Sequence, residues 1–194
     1  SMKARTVTIT LLAILALIEV RTVYKTRLAI DATLPSDFKT YINLIKNSRG
    51  EAILDWPFCI FGADGERSLC PYFPQTSTLY ALRRFHEKKV VGQYFGRMNN
   101  KMRAPFKQMG WEQMFLVDEN SNPLFPVQKR CFNEREWMLF SNFYQSHDFA
   151  GINLYLDIVG EACAAQFYQR FGKPAYIVSI PYSGRIAWIQ MNRN

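Results

Sequence analysis

Apolar positions along this chain recur at two spacings, and the switches between them mark out its elements. Phe38, Tyr41, Ile42 and Ile45 fall on one helical face. Pro35-Ser36-Asp37 ahead of them is a helix start with Ser36 as cap, and Asn47-Ser48-Arg49-Gly50 breaks the pattern. Residues 51–61 form the first clear strand, in which Pro57 requires an edge, a bulge or a stop at Trp56. Leu79, Leu82 and Phe85 or His86 return to helical spacing and predict a helix over 77–87, opened by Thr76 or Ser77 and closed by Lys88-Lys89. Residues 90–95, rich in β-branched and aromatic side chains, predict a strand running back into the sheet.

The second half is patterned in the same way. Residues 98–109 have helical character interrupted by Pro105, residues 115–117 suit a short strand, and 118–123 are an oxygen-rich surface loop. Asn133-Glu134-Arg135-Glu136 starts a helix whose buried face is Trp137, Phe140 and Tyr144. Residues 152–159 read as a strand, followed by a helix over Glu161–Phe171 that Gly172 stops. Residues 175–181 and 185–191 flank Tyr182-Ser183-Gly184, a glycine-containing hairpin connection. Strands interleaved with helices and closing on a hairpin predict a small α/β (α+β) fold: a mixed β-sheet with helices packed on it, ending in a C-terminal β-hairpin.

The amino-terminal residues stand apart. Residues 7–18 are an almost unbroken apolar run between Lys3 and Arg5 on one side and Glu19 and Arg21 on the other. As a helix the run spans about 18–20 Å, short of a hydrocarbon layer of roughly 30 Å. Three readings stay open: the tail of a membrane helix, an uncleaved signal anchor, or a buried element, since Thr6, Thr8 and Thr10 alternate with apolar residues. The expected organisation is an apolar segment with its connector over 1–30 and one α/β domain over 31–194.

Composition sharpens this picture at one point. With 48% hydrophobic and 21% charged residues the chain is globular rather than disordered, and 194 residues suffice for one domain with a sizeable core. Its formal charge of +8 is concentrated, because residues 76–107 hold eight basic side chains against Glu87 alone. Such a field attracts anions: lipid headgroups, phosphorylated carriers, acidic glycans or nucleic acid. Nucleic acid has only the charge in its favour, without a stacking motif, zinc finger or helix-turn-helix. The plainer alternative is a solvated basic helix face.

Sites of known chemistry are mostly missing. There is no dinucleotide or phosphate-loop glycine motif, no His-Glu-x-x-His and no Gly-x-Ser-x-Gly, so no cofactor and no catalytic residue is assigned. The four cysteines lack zinc-ligand spacing, and the loop at 118–123 lacks the glycine and terminal glutamate of a calcium loop, so no metal is assigned either. Cys59 and Cys70 bracket a turn-rich loop that a disulfide would close in an oxidising compartment. In a reducing one they are small hydrophobes, and Cys131 with Cys163 is a second candidate pair. Asp64 and Glu66 in that loop are the carboxylate pair a glycan hydrolase would need, against a plain role as turn residues. Asp55, a carboxylate inside an apolar strand, must find a partner or shift its pKa, with Arg97 as candidate. His86 suits either a phosphate or sugar hydroxyl or the last carbonyls of its own helix.

The run Asp55-Trp56-Pro57-Phe58, then Gln75-Thr76, then His86-x-Lys88-x-Val90-Val91-Gly92-x-Tyr94-x-x-Arg97 resembles the extracytoplasmic C-terminal region of polytopic membrane proteins related to lipid-phosphate-sugar glycosyltransferases. The likeness extends over about residues 5–100, with Glu87 where a small turn residue is usual and Lys89 where proline is usual. It implies an oxidising compartment and a non-catalytic domain on the extracytoplasmic side of a membrane. The catalytic acids of such enzymes lie in early loops between membrane helices. Combined with the charge, it makes Arg83, Arg84, His86, Lys88, Lys89 and Arg97 the expected contacts for an anionic lipid, a lipid-linked sugar or a glycan acceptor. A self-contained secreted or membrane-anchored interaction module is the alternative, with the glycan hydrolase third. Oligomeric state is not legible.

Overall fold

The computed structural model describes residues 10, 12–22, 35–62, 71–76, 79–95 and 100–191. The chain divides into two units, Ser1–Lys39 and Thr40–Asn194. In the first, residues 12–22 are helical (α1), and Leu12, Ile14, Leu15, Leu17, Ile18 and Val20 are all exposed. These described residues do not form the buried element that was one of the three expectations. Among the described residues no helix is long and apolar enough to cross a membrane.

The second unit is a small mixed α/β domain. After α2 (Ser36–Asn47), which enters this unit at Thr40, come β1 (Ala52–Trp56), β2 (Cys59–Gly62), α3 (Phe73–Thr76), α4 (Leu79–His86), β3 (Lys89–Val90), β4 (Gly92–Phe95) and α5 (Asn100–Gln108). A 3-10 turn (Trp111–Met114) leads through a long loop to α6 (Glu134–Gln145), β5 (Phe149–Tyr155), α7 (Leu156–Val159), α8 (Glu161–Phe171), β6 (Tyr176–Ile180) and β7 (Gly184–Gln190). Five strands pair in the order β3-β1-β5-β7-β6, and β2 pairs with β4 separately. β1 runs parallel to β3 and β5, while β5–β7 and β6–β7 are antiparallel, so the sheet ends in the expected hairpin.

Two expected strands each divide in two, for related reasons. The strand expected over 51–61 stops at Trp56, where a cis Trp56–Pro57 bond introduces a residue with no amide hydrogen for the ladder. The strand expected over 90–95 is interrupted where Gly92 takes φ 81°, outside extended geometry. The two breaks lie side by side, so β1 pairs with β3 before them and β2 with β4 after them. The strand expected over 152–159 is displaced: β5 starts at Phe149, and Leu156–Val159 is a helical turn. Its three apolar residues are buried either way, which is why alternation alone misplaced the boundary. Of the strand expected at 115–117, only a single bridge from Val117 to Gln128 forms.

Aromatic side chains build the core. Trp56, fully buried at the end of β1, has the rings of Phe58, Phe115, Phe132 and Phe140 around it, with centroids 4.8–5.9 Å away. α6 begins at a capping box: the Asn133 side chain accepts from the Glu136 N–H, and the Glu136 carboxylate accepts from the Asn133 N–H. Arg130 clasps the same carboxylate through both terminal nitrogens, at 2.6 and 2.7 Å. Burial would raise the Glu136 pKa, but these bonds and the guanidinium charge outweigh it and hold the carboxyl below its usual range. A disulfide joins Cys131 to Cys163 across a separation of 32 residues. Closing a loop of that length in the unfolded chain is worth about 3–4 kcal/mol on the chain-entropy account. Cys59 opens β2, and Cys70 lies outside the described residues.

Candidate anion-binding corner

The corner expected to bind anions is built from α4, the turn after it and the start of β3. Arg83, Arg84 and His86 all fall in the last turn of α4, where positive charge also offsets the negative end of the helix dipole. Glu87 then adopts φ 61°, a left-handed conformation that turns the chain sharply into β3.

The six expected contacts meet different fates. Lys88 reaches back to the turn after α2, where its Nζ donates to the carbonyls of Ser48 and Gly50, both at 2.7 Å. Lys89 is exposed and pairs with Glu51 at 2.6 Å. His86 is only 2% exposed, and its Nδ1 accepts the Lys88 N–H at 3.0 Å. Its expected bond to helix carbonyls through this nitrogen is therefore replaced by a bond from the turn, because the left-handed Glu87 swings the Lys88 amide back onto the ring. Burial, then the charges of Lys88 and Arg83, lower the His86 pKa to about 4, so the ring is neutral at pH 7. Arg83 and Arg84 remain exposed, with the Arg84 guanidinium 4.6 Å from the centre of the Phe85 ring. Neither forms an ion pair with a described carboxylate. Arg97 lies outside the described residues, as do Asp64 and Glu66.

Asp55 belongs to the sheet rather than to the corner. It is 4% exposed and sits opposite Asn153 in the β1–β5 ladder, accepting from the Asn153 side-chain N–H at 2.9 Å. Burial raises its pKa from 3.8 to about 7 against the lowering effect of that bond. The strand carboxylate, expected to find a partner or shift its pKa, has the Asn153 amide as a described partner and a raised pKa, while Arg97, the expected partner, lies outside the described residues. Asn153 was findable as the polar residue within an apolar strand, but the pairing spans 98 residues of sequence.

The corner therefore presents two exposed guanidiniums and a paired ammonium on the same turn as a buried imidazole that is neutral at pH 7. No family model, curated protein or solved structure matches this chain.

Proposed function

We propose that the α/β domain is a non-catalytic recognition domain of a membrane glycosyltransferase-like protein, on the extracytoplasmic side, holding an anionic lipid or lipid-linked sugar at the α4 corner. The observation that carries this reading is the pair Arg83 and Arg84, adjacent, exposed and without a described carboxylate partner. Two further features support it. Residues 12–22 present apolar side chains on all sides of an exposed helix, a surface suited to lipid or to a hydrophobic neighbour. The Cys131–Cys163 disulfide belongs in an oxidising compartment.

The test is co-sedimentation of the chain with vesicles of phosphatidylcholine containing phosphatidylglycerol or a polyprenyl phosphate, against phosphatidylcholine alone, as salt is raised. Basic residues at an anionic surface contribute about 1 kcal/mol each, so Arg83→Ala with Arg84→Ala should weaken binding roughly 30-fold. Binding that ignores both salt and the double substitution would remove the reading.

A further inference from the structure

The strand order reverses direction at one end of the sheet. From the carboxyl end of β1 the chain proceeds to β3 on one side, and from the carboxyl end of the adjacent β5 it proceeds to β6 on the other. Open α/β sheets bind ligands outside the carboxyl ends at such a reversal. A cavity of about 370 Å³ lies at this end of the sheet. Gln75, on the β1-to-β3 connection, and Asp157, just after β5, line it together with Phe125, Ile180, Tyr182 and Gly184.

Two of these residues carry a cost in the folded chain. Gln75 is 3% exposed, and its side-chain Oε1 is buried with no hydrogen-bond partner. A carbonyl stripped of water and left unpaired destabilises the folded chain. Tyr182 holds a left-handed backbone, φ 67°, which a residue with a Cβ adopts at a penalty, yet its side chain is 79% exposed and gains little from burial. An unpaired buried carbonyl and a left-handed turn residue with an exposed ring thus meet at one cavity, and such features cluster at ligand sites.

We infer that this cavity binds a neutral saccharide. Turned toward the cavity that its residue lines, the Gln75 carbonyl can accept from a hydroxyl, and a second hydroxyl can donate to Asp157, whose carboxylate Arg185 orients through its backbone N–H and its Nε at 2.8 and 2.9 Å. The exposed rings of Tyr182 and Phe125 supply apolar faces for the C–H side of a sugar. None of the lining residues is basic, which separates this ligand from the anion proposed for the α4 corner.

The experiment is an NMR titration of the isotope-labelled chain with D-glucose, D-mannose, D-galactose and N-acetyl-D-glucosamine, alongside an N-acetylated glycine dipeptide amide. At least one sugar should shift the Gln75 side-chain amide and the Ser183 and Gly184 amides, saturating in the millimolar range. Tyr182→Gly and Gln75→Leu should each weaken it by at least about tenfold, or 1.4 kcal/mol. Both variants shed a cost of the folded state, so both should melt no lower than the parent. The Arg83→Ala, Arg84→Ala chain should bind the sugar normally, so the two sites fail independently. Silence with every sugar, unchanged affinity in both variants, or a response to the peptide alone overturns the inference.

Discussion

Asp55 and His86 are both titratable side chains shut away from water, one in the middle of the five-stranded sheet and the other at its basic corner. Burial acts on both in the same way, against the charged form, and because one is an acid and the other a base their pKa values move in opposite directions. Asp55 rises to about 7 and His86 falls to about 4. Around pH 5.5 both are neutral in the folded chain, whereas in the unfolded chain Asp55 is ionised and His86 is protonated. The sheet keeps its carboxyl neutral beside an amide, while the corner keeps its imidazole neutral beside lysine and arginine. Near pH 5.5 neither buried group holds a charge where water cannot reach it.

The largest prediction separates the two contributions. A carboxyl with a raised folded pKa stabilises fully below its unfolded value of 3.8, and the effect is lost as pH climbs through about 7. The difference is about 4 kcal/mol. A histidine with a lowered folded pKa works the other way, its contribution present above 6.5 and lost as pH falls through about 4, a span of about 3 kcal/mol. These two contributions nearly cancel between pH 4 and 7. Asp55→Asn, measured by urea unfolding, should stabilise the chain at pH 8 by up to about 4 kcal/mol. Its remaining profile should decline toward acid. An Asp55→Asn chain no more stable than the parent at pH 8 would mean that the carboxylate is solvated after all.

His86→Gln is the complementary measurement. Glutamine keeps an acceptor for the Lys88 N–H and removes the titration, so the Asp55 slope should stand alone. Stability should then fall by about 4 kcal/mol from pH 4 to pH 7. The same slope in parent and variant would detach His86 from the comparison.

Lys88 joins the corner to the rest of the unit, and replacing it should cost less. Lys88→Met leaves the carbonyls of Ser48 and Gly50 without their charged donor, for about 2 kcal/mol. It also removes one of the two charges that depress His86, so the imidazole pKa, followed by NMR, should rise. A loss of stability with an unmoved imidazole would show that the Lys88 charge has no part in setting the histidine.

What the sequence disclosed follows from how local each signal is. The helix of Tyr41, Ile42 and Ile45, the Asn133 cap and the C-terminal hairpin all announce themselves within a few residues, and all were legible. The side-by-side breaks at Pro57 and Gly92 were not, because each makes sense only beside the other. The same holds for the basic run. Its charge is plain in the sequence, but Lys88 finds its acceptors 38 and 40 residues away and Asp55 its amide 98 residues away. Local composition identifies which residues are cationic, and tertiary partners decide which of them face solvent.

The smallest effect concerns Glu87, the hinge of the corner. Its left-handed φ costs about 1–2 kcal/mol for a residue with a Cβ. Against that stands its exposed pairing with Lys46 at 2.6 Å, worth about 0.2–1 kcal/mol. A single substitution confounds the two, since glycine relieves the strain but also loses the ion pair and gains entropy in the unfolded chain. Glu87→Ala loses the same pair and keeps the Cβ, so the difference between the two variants isolates the backbone. Glycine should be the more stable of the two by about 0.5–1 kcal/mol after its unfolded-state entropy is counted. Equal stabilities would mean that the turn relaxes out of its left-handed conformation. The Lys88 amide would then have no reason to point at the His86 ring, and the neutral histidine would lose the support that distinguishes the corner from the sheet.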